Sequence, residues 1–503
     1  MESTRRNFIK GATLASITAM GAGTLAHADE AQTAVFMPEA WDEEYDVVIV
    51  GGGGSGCAAA NGAVKAGANV CVLESQSNNL GSSTAICGGY TMFIDSPLQR
   101  ENGIEDSIDQ FVADTMAYGE SCKEDVLRVF AEQSPAYYDF VTNELGLEWT
   151  GVVSLSPGCS VPRTLTCDPH QHQDLIYQAA EDAGVAFKFE TTGKRLYVDG
   201  SGAVVGVLAE DADGNPLSIK ANKGVILASG GITHNAEMLE ECMVGCSSIP
   251  AYSCKGHTAE MHRAAMQVGC QMYGRPWLYA VEAEYPGHVP MDAYAELYMY
   301  GAVEVNIEGN RYVDESIYWG PDRTRALLAQ PVDPVDGICS WEIIDGKGYD
   351  AAVEAGPPLG IYPSVEELLV SADTLEELGE KINAPHLAES IGKYNEDLAA
   401  NGVDSLFGRS TLLGEGTGEA WLLDTPPYYA FKNSPWFAYN PATSFYVDTE
   451  CRALNSYDEP VEGLYMVGEI MLRTIVGNHY QYGLAVGGGC TLGFYCGGLV
   501  AQR

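Results

Sequence analysis

The sequence is poor in basic residues. Of its 503 residues, 27 are lysine or arginine and 69 are aspartate or glutamate, so the formal net charge is −42 at pH 7. A field of that sign repels phosphate groups, which excludes nucleic acids and anionic membrane surfaces as partners. The charge is compatible with a basic redox partner, but simple solubility explains it better.

The chain also lacks the cysteine patterns of common metal centres. Its 14 cysteines include no Cys-x-x-Cys pair and no Cys-x-x-Cys-His sequence for covalent haem. The densest group, Cys242, Cys246 and Cys254, could hold an iron–sulfur cluster or another metal. Buried apolar thiols, or one or two disulfides, explain the cysteines better, and we predict no metal site.

No apolar run beyond the N-terminus is long enough to span a bilayer. The first 28 residues instead have the form of an export signal. A twin-arginine pattern at 4–10 precedes a modest apolar stretch and a small-x-small cleavage site at 26–28. We therefore expect residues 1–28 to be a twin-arginine signal peptide. The mature chain, starting at Asp29, would be exported to the periplasm or cell surface of a bacterium.

What the sequence does contain is a dinucleotide-binding pattern at 45–75. A β-branched strand leads into Gly51-x-Gly53-x-x-Gly56, a helix of small residues follows, and a second apolar strand ends at Glu74. The first glycine permits a tight turn, the second lets a pyrophosphate approach, and the third allows close helix–strand packing. The helix N-terminus would face the diphosphate, and Glu74 would accept the ribose hydroxyls.

Four further segments indicate which dinucleotide this site would bind. The first is a hydroxyl-rich loop with two glycines at 79–90, and the second is a buried strand at 224–231 that ends in Ala-Ser-Gly-Gly. The third, at 463–469, ends in Gly-Glu, and the fourth is a glycine-rich helix start at 483–493. Together they resemble the fumarate reductase type of flavoprotein, in the FAD-binding 2 family. That group includes fumarate and urocanate reductases, 3-ketosteroid Δ1-dehydrogenases and gut-bacterial ene reductases.

The resemblance implies an α/β fold, with a Rossmann-type FAD-binding domain at 40–300 and 436–503 and an inserted α+β capping domain at 301–435. It also implies FAD, held non-covalently because the covalent members carry a histidine in the loop that is absent here. The implied FAD contacts are Gly51, Gly53, Ser55, Gly56, Glu74, Ser75, Ser82, Ser83, Cys87, Gly88, Gly89, Ala228, Gly230, Gly231, Gly468, Glu469, Leu484, Ala485 and Val486.

The positions that resemble the substrate site are aromatic. Where fumarate reductases place a glutamine and a histidine, this chain has Trp277 and Tyr279, and Tyr439 lies in a segment without the usual histidine. Tyr480 matches the arginine that clamps a carboxylate, and Trp319 the arginine that donates the proton. Burying an unpaired carboxylate is costly, so fumarate is disfavoured and a larger, flatter, less charged substrate is expected.

The resemblance therefore predicts an exported ene reductase, in which hydride passes from flavin N5 to an enone, lactone or phenylpropenoid. Electrons would come from a separate cytochrome or FMN protein, which could be membrane-linked. The alternatives are the reverse reaction, as in 3-ketosteroid Δ1-dehydrogenases, a fumarate reductase, and a silent electron-relay flavoprotein. The candidates for the acid and for enolate-binding groups are Tyr480, Tyr318, Arg323, Arg325 and His479.

Periodicity predicts the secondary structure around these motifs. The predicted helices are 104–116, 123–144, 173–183, 364–383 and 386–399, and the resemblance implies a further helix at 256–270. The predicted strands are 185–189, 193–198, 204–209 and 217–221.

Overall fold

The protein is built around an eight-stranded sheet. The structure is a computed structural model, and it describes residues 35–242, 245–251, 253–273, 280–284, 286, 297–316, 321–356, 361, 363–412, 418–437 and 443–503. The predicted signal peptide lies outside these ranges.

The strands are β1 (Glu43–Val50), β2 (Val70–Leu73), β3 (Tyr90–Met92), β4 (Trp149–Ser154), β5 (Thr164–Cys167), β6 (Ala186–Lys188), β7 (Thr192–Val198), β8 (Val204–Glu210), β9 (Pro216–Leu227), β10 (Met272–Tyr273), β11 (Ala280–Glu284), β12 (Val303–Val305), β13 (Ser340–Asp345), β14 (Val370–Ala372), β15 (Tyr428–Phe437), β16 (Ser444–Phe445), β17 (Arg452–Leu454) and β18 (Pro460–Met466).

The helices are α1 (Gly54–Lys65), α2 (Ser83–Ile86), α3 (Pro97–Glu101), α4 (Ile108–Gly119), α5 (Glu124–Asp139, continued by a π-helical turn, Phe140–Glu144), α6 (Pro169–Asp182), α7 (Ala236–Cys242), α8 (Glu260–Gln267), α9 (Pro321–Leu328), α10 (Gly346–Ala355), α11 (Pro363–Glu366), α12 (Leu375–Lys381), α13 (Leu387–Asn401), α14 (Leu472–Val476) and α15 (Leu484–Val500).

The central sheet is mainly parallel and runs β17-β18-β9-β1-β2-β6, with β7 and β8 joined to it through β9. Strand β1 lies parallel to β2 on one side and to β9 on the other. Its residues Val47, Val48 and Ile49 are fully buried, as expected of a parallel strand covered on both faces. This arrangement confirms the predicted α/β, Rossmann-type fold class.

Helices α1 and α15 pack against each other with their backbones in contact. A Cβ atom at Gly62 would lie 2.0 Å from the carbonyl oxygen of Phe494, and one at Gly497 would lie 1.9 Å from that of Ala59. A Cβ at Gly493 would lie 2.4 Å from the carbonyl oxygen of Ser55. The small residues of both helices therefore allow the two helix backbones to approach each other closely.

A second sheet of five strands runs β11-β15-β13-β12, with β14 attached to β15. Its pairings are antiparallel. A separate apolar core forms between this sheet and helices α12 and α13, with Ile343, Leu378 and Ile391 buried at its centre. The sheet has the α+β character expected of a capping domain, and β11 and the end of β15 extend beyond the predicted limits of 301–435.

The predicted helix at 364–383 is wrong. The segment forms the short helix α11, strand β14 and helix α12 instead. Residues Val370–Ala372 pair with β15, and the chain enters α12 only after Thr374, whose side chain accepts a hydrogen bond from the Glu377 amide at 3.1 Å. Pairing with a strand distant in sequence has overridden the local helical pattern.

The cysteines are isolated thiols. All 14 lie within the described residues and none is in a disulfide, and all except Cys87, Cys159 and Cys242 are buried. This burial fits the prediction that the cysteines are apolar thiols. The alternative prediction, one or two disulfides, is not what the structure shows. Among the described residues, helices long and apolar enough to cross a membrane are absent.

We expect Gly497→Ala to destabilise the protein, because the new methyl group would overlap the Ala59 carbonyl oxygen. Overpacking of this kind costs about 1–3 kcal/mol, which a thermal unfolding curve would detect. Gly498→Ala is the matched control, since its Cβ would lie 3.7 Å from the Gly62 carbonyl oxygen. Equal unfolding temperatures for the two variants would contradict the close helix contact.

Candidate functional site

A cavity of about 720 Å³ opens at the carboxyl ends of β1, β2 and β9. This is the edge at which ligands bind in doubly wound α/β sheets. The predicted FAD contacts that line it are Gly51, Gly53, Ser55, Glu74, Ser75, Ser82, Ser83, Cys87, Gly88, Ala228, Gly230, Gly468, Glu469, Ala485 and Val486. Segments distant in sequence therefore converge on one cavity.

Four of the predicted contacts shape the cavity without lining it in the part of the chain that the structure describes. A Cβ at Gly56 would lie 1.9 Å from the Gly51 carbonyl oxygen, and one at Gly89 would lie 2.1 Å from that of Cys167. Leu484 is the fully buried first residue of α15, and Gly231 is buried beside Gly230. Their roles lie in backbone packing.

The glycine turn after β1 has the geometry that its sequence predicts. Gly51 has φ +111°, a conformation that favours glycine, and a Cβ there would lie 2.3 Å from the Ala228 carbonyl oxygen. At Gly53, the nearest atom to a Cβ would be the Ser82 Cβ at 3.4 Å. Gly53 therefore leaves the cavity open at the N-terminus of α1, where an anionic diphosphate binds most favourably.

Glu74 is buried at the end of β2 and holds the turn. Its Oε2 accepts a hydrogen bond from the Gly52 amide at 2.7 Å, and its Oε1 accepts one from the Gln76 amide at 2.8 Å. Burial raises the pKa of this carboxyl above its ordinary value, although these hydrogen bonds oppose the shift. The carboxylate thus fixes the backbone around the cavity as well as lining it.

The hydroxyl-rich loop folds onto the cavity through a short helix. Ser82 caps α2 by accepting a hydrogen bond from the Ala85 amide at 3.3 Å. The hydroxyl of Ser83 then donates to Glu469 Oε2 at 3.0 Å, which joins the loop to the segment after β18. A Cβ at Gly468 would lie 2.6 Å from the Ser55 hydroxyl, so this segment also packs tightly on the start of α1.

Sequence reasoning missed His257, which is 2% exposed and lines the cavity. Its Nε2 lies 2.9 Å from Glu469 Oε2 and 3.0 Å from Ser83 Oγ. The predicted helix at 256–270 was too long at its N-terminal end: α8 begins at Glu260, and His257 lies in the preceding turn. The sequence did offer one signal for His257: it is a histidine in a segment that otherwise resembles a flavoprotein family.

Among the predicted catalytic residues, Tyr480 lines the cavity. It is 8% exposed, and its ring packs edge-on against Tyr482 at a centroid distance of 6.3 Å. The ring of His479 instead lies against that of Tyr118, at 5.2 Å, and His479 is not among the described lining residues. Tyr318, Trp277, Tyr279 and Tyr439 lie outside the described residues.

Two further predicted catalytic residues, Arg323 and Arg325, both lie on α9. Arg323 is buried, forms an ion pair with Glu304 on β12, and lies 4.4 Å over the ring of Tyr298. A carboxylate as buried as Glu304 requires a cation, and the guanidinium meets that need. Arg325 is exposed on α9. Neither arginine is among the described residues that line the cavity.

Comparisons with known proteins agree with this geometry. Residues 46–492 match the family described as "FAD binding domain". The chain is 27% identical to a urocanate reductase of Eggerthella lenta over 457 residues, covering 86% of this chain and 70% of that protein. It is 26% identical to a vinyl phenol reductase of Lactiplantibacillus plantarum over 464 residues, covering 85% and 90%.

The fold is shared with a solved structure, the open conformation of a flavocytochrome c3 fumarate reductase. The TM-score is 0.72 at 23% identity, and the match covers 100% of this chain and 81% of that one. The residues around the cavity fit FAD as well. Gly53 leaves room at the start of α1, and Ala485 and Val486 bring the start of α15 to the same cavity.

We expect Gly53→Ala to weaken FAD binding at least about tenfold, because its methyl group would occupy space needed by the diphosphate. The backbone at Gly53 has φ −72°, which alanine adopts readily, so the fold should be retained. Fluorescence titration of the apoprotein with FAD measures the dissociation constant. Gly56→Ala, which overlaps the Gly51 carbonyl oxygen, should lower the unfolding temperature of the apoprotein. An unchanged FAD affinity in Gly53→Ala would contradict the assignment.

Proposed function

Since the chain belongs to the FAD-binding family matched over residues 46–492, we propose that it reduces the activated C=C bond of a largely apolar or aromatic substrate. The protein is an FAD-dependent oxidoreductase of a family that acts on C=C and CH–CH bonds. Its relatives named above reduce urocanate and vinyl phenols. An enone, an unsaturated lactone or a phenylpropenoid fits the proposed substrate class.

The charge of the cavity carries the proposal for a weakly charged substrate. Its described lining contains the carboxylates Glu74, Glu260 and Glu469, and neither lysine nor arginine. A dicarboxylate such as fumarate would need a cation at each end to offset the loss of hydration. Tyr480, a neutral phenol, lines the cavity at the position that resembles the carboxylate clamp.

The proposal gives Tyr480 the proton of the reaction, because Tyr480 lines the cavity. When bound and reduced by an electron donor, FAD would supply the hydride for the β-carbon of the conjugated alkene. The Tyr480 hydroxyl then donates a proton to the α-carbon, or a hydrogen bond to the oxygen on which negative charge develops. Because Tyr480 is 8% exposed, bulk water has little access to its side of the cavity.

The proposal includes export and a separate electron donor. The twin-arginine pattern within residues 1–28 supports export across the cytoplasmic membrane. The absence of a covalent haem motif from the sequence supports electron delivery by another protein, a cytochrome or an FMN protein. The net charge of −42 is compatible with a donor that has a basic docking face.

The reverse reaction is the second candidate, in which the protein dehydrogenates a saturated ketone. The same tyrosine favours it, because a phenol that delivers a proton in one direction removes it in the other. Anaerobic spectroscopy of the flavin separates the two candidates. An enone or cinnamate should reoxidise the dithionite-reduced reductase, whereas a saturated ketosteroid should bleach the oxidised flavin of a dehydrogenase. If the flavin shows neither change, the protein would be an electron-relay flavoprotein, and both proposals would fail.

We expect Tyr480→Phe to lower kcat for alkene reduction about a hundredfold or more, because the proton donor is lost while the ring is kept. The variant should still bind FAD with wild-type affinity. Tyr482→Phe is the control, since Tyr482 packs against Tyr480 outside the described cavity lining. Stopped-flow measurement of flavin reoxidation by the substrate gives the rate. A wild-type rate in Tyr480→Phe would remove Tyr480 from the mechanism.

A further inference from the structure

Tyr480 lies on a connection between two helices rather than on a helix or a strand. Residues 477–483 join α14 to α15, and neither Tyr480 nor its neighbour Gln481 belongs to a regular element. The side chain of such a residue is placed only as well as tertiary contacts hold its backbone. Because a proton donor must lie within hydrogen-bond reach of the reacting atom, the contacts that hold this connection bear directly on the proposed chemistry.

One face of helix α4 contacts the connection that carries Tyr480. Thr115, Tyr118 and Gly119 are spaced i, i+3 and i+4, so they lie on the same side of the helix. The Gly119 carbonyl accepts a hydrogen bond from the Asn478 amide at 2.7 Å. The ring of Tyr118 lies 5.2 Å from that of His479. These two contacts hold the chain directly before Tyr480.

Thr115, on the same face of α4, holds the chain directly after Tyr480. Its hydroxyl donates a hydrogen bond to Gln481 Oε1 at 2.9 Å, and both side chains are 1% exposed. The Gln481 Nε2 is buried and makes no hydrogen bond within the described part of the chain. An apolar side chain would avoid the cost of that unmade bond, so the bond to Thr115 is what glutamine contributes at this position.

Helix α4 is itself firmly fixed in the FAD-binding domain. The buried Arg163 forms ion pairs with Asp106, just before the helix, at 2.8 Å and with Asp114 on the helix at 2.6 Å. Phe111 and Val112 of the helix are buried in the apolar core of the central sheet. A functional side chain is placed most precisely when the elements that support it are rigid, and α4 meets that requirement.

We propose that Thr115 and Gln481 are positioning residues that hold Tyr480 where its hydroxyl serves the reaction. The inference rests on the proposed function, in which Tyr480 handles the proton. Neither Thr115 nor Gln481 is among the described residues that line the cavity, so both act through Tyr480 rather than on the substrate. Without their hydrogen bond, the Gln481 side chain is released, and the adjoining backbone of Tyr480 gains freedom to move.

Thr115→Val keeps the shape of the side chain and removes its hydroxyl. We expect it to lower kcat for alkene reduction about tenfold or more, because a small displacement of a reacting group is costly. KM and the FAD dissociation constant should change by less than about twofold, since the lost bond lies outside the described cavity lining. Thr115→Ser keeps the hydroxyl and should restore the rate. Stopped-flow measurement of flavin reoxidation by the alkene gives these rates.

Thr142→Val is the matched control, because it is the same substitution at another hydroxyl that makes one side-chain hydrogen bond. Thr142 accepts from Trp149 Nε1 at 2.9 Å, and neither residue is among those described around the cavity. The variant should unfold at a lower temperature and keep the wild-type kcat. A fall in kcat as large as that of Thr115→Val would indicate a general effect of lost stability, and it would overturn the inference.

The double variant Thr115→Val/Tyr480→Phe tests whether Thr115 acts through Tyr480. Once the phenol hydroxyl is gone, its position no longer matters, so the double variant should react at the rate of Tyr480→Phe alone. If the two losses multiply instead, Thr115 acts by another route and the inference fails.

Thr115→Val/Gln481→Met separates position from stability. Replacing both partners of a buried hydrogen bond by apolar groups of similar shape is nearly neutral for stability, so this variant should fold even if Thr115→Val does not. It should remain slow, and a wild-type rate would overturn the inference. A wild-type rate in Tyr480→Phe, or no alkene reduction by the wild-type protein, would contradict the proposed function and the inference with it. A slow Tyr480→Phe beside a wild-type rate in Thr115→Val would overturn the inference alone.

Discussion

The site depends on the backbone contact between α1 and α15. The two helices approach so closely that a single methyl group at Gly62, Gly493 or Gly497 would overlap a carbonyl oxygen of the partner helix. Residues at the start of both helices line the cavity. The separation of these two N-termini is therefore set by glycine packing far from the cofactor. The N-termini of helices are sources of the positive potential that a chain this acidic needs to bind an anion.

The electrostatics of the cavity explain why backbone groups carry so much of the binding. Acidic side chains at the ends of β2 and β18 orient the surrounding chain: Glu74 accepts the amides of Gly52 and Gln76, and Glu469 accepts from Ser83 and His257. Carboxylates used in this way make the loops rigid, but they add negative charge where an anion must bind. Backbone N–H groups at helix N-termini would provide the opposing charge within the described part of the site.

Local patterns were enough to predict the glycine turn, since Gly51 and Gly56 meet nearby backbone atoms and Gly53 leaves space at the start of α1. The same kind of pattern predicted a single helix at 364–383, where pairing of β14 with the distant strand β15 decides the structure. Long-range contacts also account for His257, whose partners Ser83 and Glu469 lie far away in sequence. Sequence position alone also could not show that Arg323 pairs with the buried carboxylate of Glu304, which lies on another element.

The order of strands in the central sheet has a consequence for how the protein is made. Strand β1, near the N-terminus, pairs with β9, and β9 pairs with β18, which ends at Met466. Helix α15, which closes the cavity, follows later still. Translation of β1 and β9 alone therefore leaves the cavity without the wall that α15 provides. The complete cofactor site forms only once α15 has packed against α1.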